Sequence, residues 1–369
     1  MNYIVFDLEW NQSPGGRYRE NPKLPFEILE IGAVKLNARR KETDRFHETI
    51  KPLVYRSMNR HTQAVVHMDM AKLNQSRTFS PVARSFLEWC GRNPVFVTWG
   101  PSDLFELQRN LDYYHIPYQF PKPLLYLDLQ KLYSLAYLDG KKRPALQEAV
   151  EEMGIPEEGR FHAAFEDAYY TALIMQKMNI KPYLHYLSVD YYHLPENHEE
   201  EFTLDFKTYT KFVSQLYPDK ETALKEPSVT ALGCNRCRSK VTRKIDWFAG
   251  SGGGLYYALC ECPRHGCVKG KLRIRKGPGE EIYIVKTIKP ATEEDVKDIE
   301  ARKEAVRERR IRRVEKEKAK RRAQKAEAAA AAAENAGAPA AEKKSSKRSR
   351  PHYRRKKTAR VVETPLSES

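Results

Sequence analysis

Asp7 and Glu9 stand two residues apart in "YIVFDLEW" (Tyr3–Trp10), at the end of a run that otherwise reads as a buried strand. Side chains alternate along a strand, so the two carboxylates share a face and Leu8 between them points to the other. Carboxylates this close raise each other's proton affinity unless positive charge intervenes, and a divalent cation with oxygen ligands is the usual remedy. A lone Asp-x-Glu is more often a strand end at a solvent edge. Three more residues of the same chemistry follow. Asp103 lies in "TWGPSD", where a strand turns into a helix, and His162 and Asp167 lie in "HAAFEDA". The last two are five residues apart, about 500° of helical turn, so they sit roughly 140° from each other and can still converge on one cleft. Singly, each has a bland account: a helix cap, a first-turn surface histidine, a solvated helix acid.

A second constellation is made of sulfur. Cys234 and Cys237 form a Cys-x-x-Cys in "LGCNRCRSK", and Cys260, Cys262 and Cys267 follow an apolar hairpin, the last two framing "CPRHGC". Five of the six cysteines thus fall within 34 positions, with Cys90 alone elsewhere. Two short Cys-bearing turns joined by a hairpin predict a zinc-ribbon-like unit, since four ligands around one ion can hold a segment too small for a core of its own. Five thiols and His265 compete for four places. The set favoured by spacing is Cys234, Cys237, Cys262 and Cys267, with Cys260 the rival of Cys262; an iron–sulfur cluster is the lesser alternative. "GSGGG" (Gly250–Gly254) lacks the Lys-Ser/Thr of a phosphate-binding loop and reads as a hairpin tip.

Elements that can position the acids are legible around them. Strands are predicted over residues 3–9, Ile28–Asn37, Arg45–Pro52 and Pro94–Gly100, with another short one in "LLYLDLQ". Helices are predicted over Ser80–Cys90, after "PSD", over Pro144–Gly154 and over Phe161–Met178. Strands that alternate with helices imply an α/β sheet covered on both faces. The division that follows is 1–180 for this domain, 181–230 for a Tyr- and Pro-rich connector and 231–290 for the cysteine unit. After these come a charged helix over 291–334, with Thr292 and Asp295 as a capping box, and a disordered basic tail over 335–369. Apolar residues in the helix are too sparse for sustained heptads, which favours a solvated helix over a coiled coil.

The chain has 369 residues and a formal charge of +16. Residues 1–200 carry −2, residues 201–290 carry +8 and residues 291–369 carry +10. Around the cysteines, Arg236, Arg238, Lys240, Lys269, Lys271 and Arg273 are interleaved with Trp247, Phe248, Tyr256 and Tyr257. Cations for phosphates and rings for bases point to single-stranded nucleic acid. "KKSSKRSRPHYRRKK" (Lys343–Lys357) suits non-specific phosphate contact, or is a solvated tail. No apolar run approaches the ~18–20 residues of a membrane span, so a membrane partner is not expected. Clustered cysteines with metal-like spacing indicate a reducing compartment, and the expected location is the cytoplasm.

Taken in order, "FDLEW", "TWGPSD" and "LQEAVEEMGIPEEGRFHAAFEDA" resemble the three exonuclease motifs of the DEDDh superfamily, which includes polymerase proofreading subunits and RNase T. The likeness is greatest to the sporulation-pathway-inhibitor (KinA inhibitor) type and covers about residues 1–180. It implies an RNase H-like fold with a mixed five-stranded sheet flanked by helices, and 3′→5′ hydrolysis of single-stranded RNA or DNA. It further implies Asp7, Glu9, Asp103 and Asp167 as ligands of two Mg²⁺ (or Mn²⁺) and His162 as general base. Substrate contact is assigned to Leu8, Trp10 and His67; Trp10 is as well suited to core packing and His67 to an exposed loop. A regulatory or adaptor protein built on the same fold is the alternative, and the complete acid set speaks against it.

Overall fold

The computed structural model describes residues 2–336, apart from His67 and Glu158, and side chains as far as Ala329. His67 and the tail assigned to 335–369, beyond a helix that reaches Ala336, lie outside the described residues. The chain forms two units, Met1–Val306 and Arg307–Ser369.

In the first unit the chain runs β1 (Tyr3–Gln12), β2 (Phe26–Leu36), β3 (Glu42–Lys51), α1 (Arg60–Val65), α2 (Met70–Leu73), β4 (Arg77–Thr78) and α3 (Phe79–Cys90). It continues β5 (Val95–Thr98), α4 (Ser102–Tyr113), β6 (Leu125–Asp128), α5 (Leu129–Tyr137), α6 (Leu146–Glu152), α7 (Ala164–Lys177) and β7 (Ser188–Val189). The sheet order is β4-β3-β2-β1-β5-β6-β7. Its interior is the expected mixed set of five, in which β1, β3, β5 and β6 run in one direction and β2, between β1 and β3, runs antiparallel to its neighbours. Two-residue strands extend each edge, too short to leave a period in the sequence.

Alternation along β1 divides the core. Ile4, Phe6 and Leu8 pack with Val82, Phe86, Leu104 and Leu107 of α3 and α4. Tyr3 and Val5 pack on the other side with Tyr133, Val150, Tyr170 and Met175 of α5, α6 and α7. Both faces of the sheet are therefore covered, and the parallel centre is shielded as such strands require.

Residues 202–290, which include part of the stretch read as connector, build a second sheet. Its strands are β8 (Phe202–Asp205), β9 (Thr210–Val213), β10 (Thr242–Ala249), β11 (Leu255–Cys262), β12 (Gly266–Lys276) and β13 (Ile282–Pro290), in the order β10-β11-β12-β13-β9-β8. All its pairings are antiparallel. Two short helices, α8 (Lys220–Lys225) and α9 (Pro227–Thr230), lie between β9 and β10 and bury Ala223 and Val229 against Leu272 and Ile284. The Gly250–Gly254 segment is the β10–β11 turn.

α10 (Glu293–Ala336) opens with the expected capping box: Asp295 N–H donates to Thr292 Oγ1 at 3.2 Å, and Thr292 N–H donates to Asp295 Oδ2 at 3.1 Å. Within the second unit its side chains are exposed through Ala329, and i,i+4 pairs Arg312–Glu308 and Arg321–Glu317 line it.

Candidate active site and metal centre

Asp7 and Glu9 continue the β1 face that looks toward α7, and the β1–β2 register sets Asp7 opposite Gly32 and Glu9 opposite Glu30. Gly32 is the residue that lets α7 come down onto the sheet. A Cβ there would fall inside the van der Waals radii of the Ala164 and Phe165 backbone. The first turn of α7 thereby delivers Asp167, and ligand atoms of Glu9, His162 and Asp167 lie within 4.8 Å of one another. Asp103 arrives from the other side. β5 runs parallel to β1 with Val97 beside Val5, turns at Gly100 (φ +117°), and enters α4 with Asp103 in its first turn, where the helix dipole favours a carboxylate. It is 6% exposed, and the backbone N–H groups of Leu8 and of Asp103 itself favour its charged form.

His162 does not sit on the helix, as the sequence had implied. It precedes α7 with φ +64°, a left-handed conformation that a non-glycine residue adopts only when held there. One hold is visible: its N–H donates to Asp167 Oδ2 at 3.1 Å. The exposed ring is thereby left beside Glu9 and Asp167.

Electrostatically the cluster is unsatisfied. Burial, then Asp103, Asp167, Glu9 and Glu30, push the Asp7 carboxyl well above its ordinary range. Burial followed by Asp167 and Glu30 pushes Glu9 up to about 8, and burial first of all takes Asp103 and Asp167 up to about 7. Asp167 Oδ1 is buried with no hydrogen-bond partner among the described residues. An orphaned carboxylate oxygen amid four converging acids fits hard divalent cations such as Mg²⁺ or Mn²⁺, which take oxygen ligands and relieve the repulsion.

One member of this neighbourhood escaped the sequence reading. Glu30, 3% exposed, accepts from the Ala164 N–H through Oε2 (3.1 Å) and meets His47 Nε2 through Oε1 (2.6 Å). The bond to Glu30 is the main cause holding the His47 pKa above its usual value, and the ring stacks on Phe165 at 5.4 Å. Glu30 thus ties β2, β3 and the start of α7 together. Its signal was a single acid inside the apolar run "ILEIGAV".

The substrate-contact assignments fare differently. Leu8 is 3% exposed in the core under α3 and α4, so its side chain is withdrawn from the acid face, as alternation requires. Trp10 packs on Phe26 at 5.7 Å and joins the same core, leaving part of the ring uncovered.

In the second sheet, the loop before β10 and the β11–β12 turn bring together Cys234, Cys237, Cys262 and His265, with ligand atoms within 4.8 Å. Cys237 Sγ lies 3.6 Å from Cys262 Sγ, and His265 Nδ1 lies 3.4 Å from Cys234 Sγ and 3.7 Å from Cys262 Sγ. Tetrahedral zinc with ordinary bond lengths spaces two sulfurs about 3.8 Å apart and a sulfur and a nitrogen about 3.6 Å apart. Hydrogen bonds from Ser239 are the main cause lowering the Cys237 thiol to about 6, which favours the ligating thiolate. Donor set and spacing therefore fit zinc.

The fourth ligand corrects the expected Cys267. Cys267 pairs across the hairpin with Glu261, and cross-strand partners share a face, opposite to that of Cys262. It packs instead with Ile245, Leu259 and Ile299. Cys260 is one strand period from Cys262, about 6.7 Å, and fully buried, so it stays outside the cluster.

Residues 4–175 match the family model described as RNase T, exonuclease. The chain is 25% identical over 166 residues to a probable 3′-5′ exonuclease, KapD, of Bacillus subtilis, covering 45% of this chain and 78% of that protein. It is 26% identical over 210 residues to ERI1 exoribonuclease 2 of Mus musculus, a match that spans 47% of this chain and 28% of the mouse protein. Among solved structures, the nuclease domain of 3′hExo, a DEDDh family member bound to rAMP, aligns with a TM-score of 0.43 at 18% identity, over 52% of this chain and 96% of that one. Three ordered acid motifs, brought to one end of a mixed sheet and matched by the family model, make residues 4–175 an exonuclease domain of the RNase T family.

Proposed function

We propose that this chain is a metal-dependent 3′→5′ exonuclease of single-stranded nucleic acid. The observation that carries the reading is the convergence of Asp7, Glu9, Asp103 and Asp167, with raised carboxyl pKa values and an orphaned oxygen on Asp167. The 3′→5′ direction is carried over from the Bacillus subtilis relative. Two Mg²⁺ or Mn²⁺ ions held by the four acids would activate the attacking water and stabilise the departing oxygen. His162, exposed beside Glu9 and Asp167, is the group that accepts the proton of the attacking water on a ring nitrogen. Its backbone bond to Asp167 keeps acceptor and carboxylate in one frame. Glu30 holds the start of α7 in place and acts through Asp167 rather than on substrate.

Zinc on Cys234, Cys237, Cys262 and His265 is structural in this reading, since four protein ligands leave no open position. Reduced thiols suit the cytoplasm. No helix among the described residues is long and apolar enough to cross a membrane.

The test is an assay on one oligonucleotide labelled at either end, in RNA and DNA versions, with and without Mg²⁺. Metal-dependent shortening from the 3′ end is expected. Tight binding with no degradation of either polymer would favour an adaptor role.

A further inference from the structure

Between the exonuclease domain and the second sheet lies a cavity of about 710 Å³ that no catalytic residue lines. Its floor follows from a period of two. In "VKGKLRIRK" the residues Val268, Gly270 and Leu272 are buried, and Lys269, Lys271, Arg273 and Arg275 alternate with them onto the opposite face. Neighbouring strands add to that face in register, with Lys289 opposite Lys269 and Tyr257 opposite Lys271. Lys211 of β9, Lys131 of α5 and Arg143 come from the other walls, as do Tyr186, Tyr191 and Tyr209.

Charge in this cavity is one-sided. Ten Lys and Arg line it against two acids, and both acids are engaged: Asp295 with Lys269, Asp298 with Arg302 at 2.8 Å. Among the described residues no carboxylate forms an ion pair with Lys211, Lys271, Arg273 or Arg275. Burial, then the neighbouring cations Lys131 and Arg273, lower Lys211 to about 8; burial, then Arg273 and Arg302, lowers Lys271, and burial, then Lys269, lowers Lys289. A fold that crowds like charges, several of them with no carboxylate partner, gains when a polyanion enters.

A cavity of about 710 Å³ has room for a few unpaired nucleotides and not for a double helix, whose major groove alone is ~12 Å wide. Four tyrosines supply faces on which unpaired bases stack, which an acidic peptide would not use. The cavity is also tied to the catalytic edge. Pro144 O, beside Arg143, accepts from Trp99 Nε1 (3.2 Å) and Gln130 Nε2 (2.9 Å), which fastens this wall to the β5–α4 turn that sets Asp103.

We propose that this cavity is a tethering site for the body of a single-stranded nucleic acid whose 3′ end occupies the carboxylate cluster. The proposal rests on the exonuclease reading. Phosphates contact the Lys and Arg ladder of β12 while the chain shortens, so long substrates are held and very short ones are not.

The double variant Lys271→Glu/Arg273→Glu tests it, in the full chain, with zinc content and circular dichroism confirming the fold. Binding of a 20-nucleotide single strand, measured by anisotropy in an Asp7→Asn background, is expected to weaken at least about tenfold near 0.1 M salt, with a shallower salt dependence. Hydrolysis of a dinucleotide by the otherwise wild-type double variant is expected to be unchanged. Unaltered binding and degradation of the long strand would overturn the proposal, as would an equal loss on the dinucleotide. Displacement of the strand by polyglutamate at concentrations equivalent to competing nucleic acid would assign the cavity to an acidic protein instead. If the wild-type chain hydrolyses neither substrate, the exonuclease reading fails, while the binding comparison still decides whether the cavity holds a strand.

Discussion

His162 combines exposure, a left-handed backbone and a place beside Glu9 and Asp167, the profile of a proton acceptor that must reach substrate. His162→Ala should lower turnover about 10²- to 10⁴-fold while Mg²⁺ affinity, read by calorimetry, stays unchanged. Unchanged turnover would remove it from the role. The four acids carry a second expectation. Their folded pKa values are raised, so the metal-free native protein holds more protons than the unfolded chain between about pH 4 and pH 8. The cluster's contribution to stability therefore falls as pH climbs through that window. Mg²⁺ should raise the melting temperature more at pH 8 than at pH 5. An equal rise at both values would show that the acids are not its site. These four acids and His162 could be read in the sequence because they fall in three ordered motifs, although β1 runs on to Gln12 and leaves Asp7 and Glu9 inside the strand, not at its end. Glu30 could not, because a strand acid is significant only once its neighbours across the sheet are known.

α7 against β2 is the contact on which the site's assembly turns. Gly32→Ala puts a methyl group into the α7 backbone, and overpacking of this kind costs about 1–3 kcal/mol. Because Asp167 and the His162 turn ride on the displaced end, activity should fall further than the stability loss explains. Urea denaturation beside kcat at saturating Mg²⁺ checks both, and a fully active Gly32→Ala would show that α7 tolerates the shift. At this scale the longer helices and the longer strands of the first sheet were predictable from period, since their buried faces are continuous, whereas the short α1, α2, α8 and α9 were not. The two-residue β4 and β7 were not, and neither was the point at which α7 begins. Ala164 starts the helix because Glu30 takes its N–H, a bond from another strand.

Two sheets share the first unit of the molecule, and the second is held at one end by the Cys234–Cys237–Cys262–His265 cluster. His265→Ala should lose stoichiometric zinc, measured by mass spectrometry of the purified protein, while Cys267→Ala keeps it. The reverse result would restore the all-cysteine set. The first strands of that sheet, β8 and β9, come from a stretch with no clear pattern, and β9 joins the sheet through β13, which lies about seventy residues on. Pairing over such separations is decided by which edge is free when the chain condenses, not by local composition.

By itself the sequence determined the chemistry available: an ordered acid set with a histidine, a thiol-rich turn pair, and a strand that alternates cations with apolar residues. Those are local properties, written in spacing and in the two-residue period of strands. Tertiary structure alone decided which groups meet. It admitted His265 and excluded Cys267, because the faces of a hairpin depend on register. It buried Glu30 beside Glu9, and it turned the Lys and Arg ladder of β12 inward to face the exonuclease domain. Each outcome depends on contacts between segments far apart in the chain, and no local pattern encodes them.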